Sequence, residues 1–290
     1  MALRNDTRGR RLSRAAPPSS RGGERGSLPR PRKRYGQHFL EAAWVAKLID
    51  AVGAQPDDVF IEIGPGRGAL TRPLAERVAR VIAIEIDRDL AAALPSRVPA
   101  NVDVITNDIL RVDLEALLPQ QSGPVRVIGN LPYNVSSPIL FALLHAADHG
   151  ARIGDATLML QKEVADRLVA VPGTGEYGAL AIQVALVADV ERLLSLPPGA
   201  FRPPPKVRSA VVRLRFRSPL VEVGDPGTFE RLVRGLFLQR RKTLLNALKP
   251  VADSLGKTAK TVIEQSGLDP TRRPETLTLA ELSRLARAVL

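Results

Sequence analysis

Four residues at the end of an apolar run carry the most chemical information in this chain of 290 residues. Val125 to Ile128 reads as the end of a buried strand, and Asn130-Leu131-Pro132-Tyr133 follows it. A carboxamide at that place offers an oxygen to an exocyclic amine. The proline fixes the turn, and the tyrosine presents a flat face on which a ring can stack. The same four residues also suit an ordinary turn beside a buried aromatic, because Asn and Pro are common turn formers. The neighbouring strand ends have to decide between the two.

Ile61-Glu62-Ile63-Gly64-Pro65-Gly66-Arg67-Gly68 ends a second apolar run and opens a helix. Glycines there allow a tight turn and a close approach of a ligand to the backbone. The dinucleotide fingerprint wants its third glycine at position 69, where Ala69 stands. Glu62 also occupies a strand position where an apolar residue is expected. Glu85 ends the next strand, 21 residues after Gly64, where a carboxylate can take both hydroxyls of a ribose. Asn107-Asp108 ends a third strand and is placed to accept from an adenine amino group. Each residue alone fits a structural loop. Together, Gly64, Gly66, Gly68, Glu85, Asp108 and Asn130 lie on four strand ends, where ligands of open α/β sheets bind. With the diphosphate fingerprint incomplete, the set points to S-adenosylmethionine rather than NAD.

The elements that would position these residues follow from periodicity. Trp44, Leu48, Ile49 and Val52 give a helix face. Strands are predicted at Val59–Ile63, Val81–Ile86, Val102–Thr106, Val125–Gly129 and Thr157–Leu160. Helices are predicted from about Ala69 to Ala79, at Leu114–Leu118, at Pro138–Ala147 and through Val164–Val169. This alternation implies a Rossmann-like, doubly wound α/β sheet. Two further alternating runs, Val190–Leu196 and Ala210–Phe216, read as an antiparallel pair that completes it. From Gly227 the pattern turns helical, through Phe229, Leu232, Val233, Leu236, Leu244, Leu245 and Leu248 to Leu279–Leu290. The expected organisation is a disordered basic extension over residues 1–31, an α/β domain over 32–218 and a small all-helical domain over 219–290.

Composition narrows the partners. The formal net charge is +12 and there is no cysteine, which excludes disulfides and thiolate metal sites and makes a reducing compartment, the cytoplasm, the simple expectation. His145 and His149 are spaced i, i+4 without the Glu of a metalloprotease helix, so no metal site is expected. No apolar run is long enough for a membrane helix. Residues 1–34 hold 11 basic and 2 acidic side chains, residues 35–201 hold 13 and 20, and residues 202–249 hold 12 and 3. An acidic body flanked by basic segments points to a polyanion, with nucleic acid the commonest. The Arg-, Ser-, Gly- and Pro-rich residues 1–31 lack the apolar stretch of a secretory signal and read as an RNA-contacting arm or an unselected extension.

Longer motifs now sharpen the reading. Gly36-Gln37-His38-Phe39-Leu40, the Gly64–Gly68 loop, Asn130 to Pro138 (N-L-P-Y-N-V-S-S-P), Gln161 to Leu168, Phe201-Arg202-Pro203-Pro204-Pro205-Lys206-Val207 and Leu238 to Leu244 occur in this order. Together they resemble the ribosomal RNA adenine dimethyltransferases, from about Arg32 to the C-terminus. The resemblance implies a class I methyltransferase fold that binds S-adenosylmethionine at His38, Leu40, Gly64, Gly66, Glu85, Asp108 and Asn130, the first two through backbone groups. It implies that Asn130 and the Leu131 carbonyl hold the adenine N6, that Pro132 shapes the turn, that Tyr133 stacks on the base and that Phe201 closes its other face. Arg202, Lys206, Arg208, Arg240, Arg241 and Lys242 would position RNA phosphates. The substrate implied is a pair of adjacent adenosines in the 3′-terminal hairpin of 16S rRNA, within the small ribosomal subunit or its precursor, modified by a monomer. Two departures stand out. His38 replaces an Asn found in many relatives, and Arg208 replaces a frequent Asp, which removes a salt bridge.

Three other readings compete. A large-subunit adenine methylase of the macrolide-resistance type shares much of the pattern and sometimes an Arg-rich arm. Leu131, Ser136-Ser137-Pro138 and the F-R-P-P-P-K-V block favour the small-subunit branch. A non-enzymatic ribosome assembly factor on the same fold would have lost cofactor residues, whereas Gly64, Glu85, Asp108 and Asn130 are present. An NAD-linked oxidoreductase is disfavoured by Ala69 and by the lack of a proton-relay pair near the strand switch.

Overall fold

The structure, a computed structural model, describes residues 38–117, 123–148 and 150–290. The N-terminal extension, Gly36-Gln37, Leu118 and His149 lie outside the described residues. Among the described residues, the order begins with β1 (Phe39–Leu40) and α1 (Ala42–Val52), then β2 (Val59–Ile63), α2 (Thr71–Ala75), β3 (Arg80–Glu85), α3 (Arg88–Ala93), β4 (Val102–Thr106) and α4 (Leu114–Leu117). It continues with β5 (Val125–Asn130), α5 (Ser136–Asp148), β6 (Ile153–Gln161), α6 (Lys162–Leu168), α7 (Ala179–Val187), β7 (Ala188–Leu196), β8 (Phe201–Arg202) and β9 (Ser209–Phe216). Four helices follow: α8 (Pro226–Leu238), α9 (Leu244–Ser254), α10 (Ala259–Ser266) and α11 (Leu279–Val289).

Seven strands form one sheet in the order β4-β3-β2-β5-β6-β9-β7. β4, β3, β2, β5 and β6 are parallel, while β9 runs antiparallel between β6 and β7. The central strands are apolar on both faces because helices cover both. Accordingly, Ile61, Ile63, Ile82, Ile84, Val127 and Leu158 enter one core cluster, and Phe60, Val81, Ile128, Met159 and Val211 enter another with α1. Burying a side chain such as Phe60, which has no exposed surface, is worth about 1.5–3 kcal/mol.

The strand order reverses between β2 and β5, so the crevice between their carboxyl ends is the switch point at which a ligand can enter. The opposite, amino-terminal edge is held by charge. Arg126 of β5 pairs with Asp58 at 2.8 Å and Asp155 at 2.9 Å and donates to Val52 O at 2.9 Å. Arg213 of β9 donates to Ala51 O at 2.7 Å and Val52 O at 2.8 Å, so two guanidinium groups satisfy the last carbonyls of α1.

The C-terminal helices share a separate core: Phe229, Leu232, Val233 and Leu236 of α8, Leu244, Leu248 and Ala252 of α9, Val262 and Ile263 of α10, and Leu282 and Leu285 of α11. Tyr177, Ala181 and Ile182 enter the same cluster. α7, which the sequence pattern did not single out, thereby joins the helices to the sheet. Its lack of a polar face explains why periodicity missed it: Ala179–Val187 (ALAIQVALV) is apolar nearly all round. α2 is shorter than expected, since Gly68, with φ of 79°, belongs to a turn that runs up to Thr71.

Candidate functional site

Gly64 follows the last residue of β2, and its N–H donates to Ile84 O at 2.9 Å, which holds the glycine loop against β3. Gly66 has φ of 58°, and a Cβ there would lie 3.1 Å from the Phe39 ring. Only glycine suits both the backbone and the space. Glu85, buried at the end of β3, accepts from Gly66 N at 2.9 Å through one oxygen and from Asp87 N at 2.9 Å through the other. Each oxygen keeps a further lone pair for a ligand hydroxyl. Burial raises the Glu85 pKa, with these N–H donors working against that shift.

Glu62 lies deeper, with 2% of its surface exposed. Burial pushes its carboxyl up to about 7. The Thr71 hydroxyl offsets part of this, and the negative Glu85 adds to it. The Thr71 hydroxyl makes no hydrogen bond of ordinary geometry, and Glu62 Oε2 is likewise without a partner among the described residues. A buried carboxyl oxygen left without a donor is expensive unless a ligand or water supplies one.

Gly129 brings β5 and β2 close, since a Cβ on it would lie 3.0 Å from Ile63 O and 3.0 Å from a Leu131 methyl. At the end of β5, the Asn130 amide nitrogen donates to His38 O at 2.8 Å. A carbonyl only accepts, so this contact fixes the rotamer and leaves the Asn130 side-chain oxygen free to accept. Leu131 is buried, and its N–H donates to Met159 O at 3.2 Å. Tyr133 is half-buried, with its hydroxyl 2.7 Å from Ser209 Oγ, and burial raises its pKa. The His38 ring stacks on Tyr133, with centroids 5.7 Å apart and planes 25° apart.

One cavity gathers His38, Leu40, Glu62, Gly64, Gly66, Glu85, Asn130, Leu131, Pro132 and Tyr133. A second, sharing Gly64, Ile86 and Pro132 with the first, is lined by Asn107, Asp108, Leu110, Val135 and Ile139. Apolar side chains there suit a flat heteroaromatic ring. Asp108 accepts from Leu110 N at 3.1 Å, which starts a short 3₁₀ turn and holds its carboxylate at the rim. The two cavities together offer acceptors for hydroxyls and an amino group, and a buried carboxyl beside the glycine loop. That donor and acceptor set fits an adenosyl group joined to a cationic amino acid.

Of the residues expected at the site, Phe201 does not line either cavity. It has no exposed surface and packs with Leu40, Val45, Leu48 and Leu196. The cause is its pairing in the two-stranded sheet, Leu40 opposite Phe201, which seats this ring in the α1 core. The expected cations divide into two kinds. Arg202 pairs with Glu41 at 3.0 Å, and Arg240 donates to Gly175 O at 2.7 Å and lies 3.9 Å from Glu275. Lys206, Arg208, Arg241 and Lys242 are exposed, and their side chains have no ion pair among the described residues. Ser209, 76 residues from the tyrosine it holds, was not identified from the sequence. Nothing local could have marked it, although Glu62 did signal itself as an acid in an apolar strand.

Comparison with known proteins agrees with this geometry. The family model for ribosomal RNA adenine dimethylase matches residues 29–284. A ribosomal RNA small subunit methyltransferase A from Geobacter metallireducens is 45% identical over 272 residues, covering 92% of this chain and 98% of its own. One from Acinetobacter baylyi is 44% identical over 259 residues, covering 88% and 91%. Among solved structures, a dimethyladenosine transferase from Plasmodium falciparum superposes with a TM-score of 0.73 at 27% identity, covering 86% of this chain and 96% of that one. The 23S rRNA methyltransferase ErmE gives 0.61 at 26% identity, covering 87% and 99%. The crevice at the β2–β5 switch point, the N-L-P-Y strand end and the extent of these matches lead to one conclusion: the chain belongs to the ribosomal RNA adenine dimethylase family.

Proposed function

We propose that this protein transfers methyl groups from S-adenosylmethionine to the N6 atoms of two adjacent adenosines in the 3′-terminal hairpin of 16S rRNA, forming N6,N6-dimethyladenosine. The observation that carries this reading is the clamp on Asn130, whose amide nitrogen is taken by His38 O at 2.8 Å while its oxygen is left to accept from an amine. Relatives sharing 44–45% identity over most of the chain are small-subunit methyltransferases, which favours 16S over 23S rRNA.

The adenine N6 is a weak nucleophile because its lone pair is delocalised into the ring. Hydrogen bonds from N6–H to the Asn130 oxygen and the Leu131 carbonyl draw the nitrogen toward tetrahedral geometry and favour the positive charge that develops on it. When bound, S-adenosylmethionine supplies an electrophilic methyl on a sulfonium, and a neutral thioether leaves. Glu85 and Asp108 hold the nucleoside part at the rim, and the glycine loop admits it close to the backbone. Tyr133, anchored through its hydroxyl by Ser209, presents its ring to a base taken out of its stack. The proton displaced from N6 passes to water, so no strong base is required. Lys206, Arg208, Arg241 and Lys242 contact phosphates and set position rather than sequence. The protein acts as a monomer on the subunit or its precursor, in the cytoplasm.

Purified protein, labelled S-adenosylmethionine and unmethylated small subunits test the reading. The label is expected at two adjacent adenosines of 16S rRNA by mass mapping, with none in 23S rRNA. Asn130→Ala is expected to lower turnover about 10²–10³-fold, the size of losing one transition-state hydrogen bond. Unlabelled subunits, or full turnover by Asn130→Ala, would overturn it.

A further inference from the structure

One exposed segment touches both halves of the site. Residues 203–208 join β8 to β9 and carry Lys206 and Arg208 into solvent. At the start of the segment, Pro203 O lies 2.7 Å from His38 Nδ1, and the His38 carbonyl in turn accepts from the Asn130 amide at 2.8 Å. At its end comes Ser209, whose Oγ lies 2.7 Å from the Tyr133 hydroxyl. We infer that Ser209 is a positioning residue that couples RNA contact at Lys206 and Arg208 to the Tyr133 ring, so that this segment helps to set the methylation geometry as well as to hold RNA. The inference rests on the adenine-methylating reading of the site.

Ser209 opens β9 between two neighbouring strands, opposite Gln161 of β6 and Leu196 of β7. It is 1% exposed, and a buried hydroxyl needs a partner. The Tyr133 hydroxyl is that partner. The other end of the tyrosine is held as well. Its carbonyl accepts from Ser136 Oγ at 3.1 Å, in a turn where Val135 N donates to Pro132 O at 3.1 Å. Two anchors therefore set the ring plane, one in the tyrosine's own turn and one in β9.

The segment is built to transmit. Pro203, Pro204 and Pro205 follow one another, and each ring fixes its own φ. The pairing of β8 with β1 holds the start, and Arg208 O accepts from Lys162 N at 2.9 Å at the end. Arg208 and Ser209 are adjacent, so a phosphate on the Arg208 side chain acts one residue from the Tyr133 anchor. Binding energy from phosphates remote from the reacting nitrogen then goes into orienting the base, where a misplacement of about 1 Å costs on the order of 10²-fold in rate. A phenylalanine at position 133 would stack without this link to β9, and the phenol hydroxyl supplies it.

The test measures coupling, with full-length protein on unmethylated small subunits. Ser209→Ala and Tyr133→Phe remove the bond from either side and keep the ring. Each is expected to lower turnover at saturating subunits roughly 5- to 10-fold, the size of one hydrogen bond, with subunit and S-adenosylmethionine affinities within about twofold of wild type. The double variant is expected to fall no further than either single one, because both break the same bond. Ser209→Thr, which keeps the hydroxyl, is expected to recover most of the rate. Lys206→Ala/Arg208→Ala is expected to lower subunit affinity about tenfold and also turnover at saturation, by about 3- to 10-fold. In the Ser209→Ala background the same pair is expected to lower affinity alone. Additive losses of turnover in either combination, wild-type turnover in Ser209→Ala, no recovery in a folded Ser209→Thr, or wild-type turnover at saturation in Lys206→Ala/Arg208→Ala each overturns the inference. Wild-type protein that leaves the subunits unmethylated would instead reject the reading beneath it. Melting temperatures of the variants report folding, and if Ser209→Ala does not fold, Tyr133→Phe combined with Lys206→Ala/Arg208→Ala decides.

Discussion

At the carboxyl ends of β2, β3 and β5 the protein itself holds nearly every polar side chain. Glu85 accepts from two backbone N–H groups, Asn130 donates to His38 O, and Tyr133 is tied to Ser209. In the loop joining α8 to α9, Arg241 and Lys242 reach solvent with no ion pair among the described residues, and the neighbouring Leu238 is 86% exposed. Arg240, between them, is turned back onto Gly175 and Glu275. The first region is held in place before any ligand arrives, as the proposed site for a small cofactor and one base requires. The second offers charge on long, exposed side chains, which under the proposed reading adjust to a phosphate backbone. Preorganisation serves where bonds are made, and adaptable charge serves where a large polyanion is only positioned.

The sharpest way to break this comparison is Glu85→Ala. Removing a carboxylate that both accepts from Gly66 N and faces the nucleoside site is expected to weaken S-adenosylmethionine binding by roughly 10- to 100-fold, the range for losing hydrogen bonds to a charged group. Binding to small subunits at fixed salt is expected to change little. Unchanged cofactor affinity by calorimetric titration would show that Glu85 only braces the loop. The matching change in the other region is the double variant Arg241→Ala/Lys242→Ala. Its affinity for small subunits is expected to fall about tenfold, and the dependence of log affinity on log salt to flatten by about 2. Cofactor affinity stays at the wild-type value. Arg240→Ala is expected to act differently, lowering thermal stability with a smaller effect on the salt slope, because its guanidinium is spent on the protein.

The two regions also differ in how much of each could be read from the sequence. The glycine loop, Glu85, Asp108 and Asn130 were legible because strand-end chemistry is local: an apolar run followed by a polar residue states its own position. Lys206 and Arg241 were legible as cations. Which cations remain available was not, because the Glu41 partner of Arg202 lies far away in the chain and Glu275 approaches Arg240 only after α8 and the turn before α11 have packed. The placement of Phe201 was not legible for the same reason. Hydrophobicity says that an aromatic will be covered, but a two-residue strand has no alternation to say by what. Its pairing with Leu40, 161 residues earlier, decides that.

A further effect concerns stability rather than binding, at the one acid of the prepared region that nothing fully holds. The Glu62 carboxyl titrates near 7 in the folded protein, against an ordinary value of 4.5, chiefly because it is buried. Between pH 4.5 and 7 the folded protein keeps a proton that the unfolded chain has released, so stability falls as pH rises through this window and levels off above it. Glutamine cannot ionise. Glu62→Gln is therefore expected to match wild type near pH 4.5 and to exceed it at pH 8 by on the order of 2 kcal/mol, read from urea midpoints without cofactor. Saturating S-adenosylmethionine is expected to narrow that gap, because a cationic ligand favours the ionised acid that glutamine lacks. A gap that is constant from pH 4.5 to 8 would mean that Glu62 does not change its protonation on folding. The strain in this region would then lie in the unpaired Oε2 rather than in its charge.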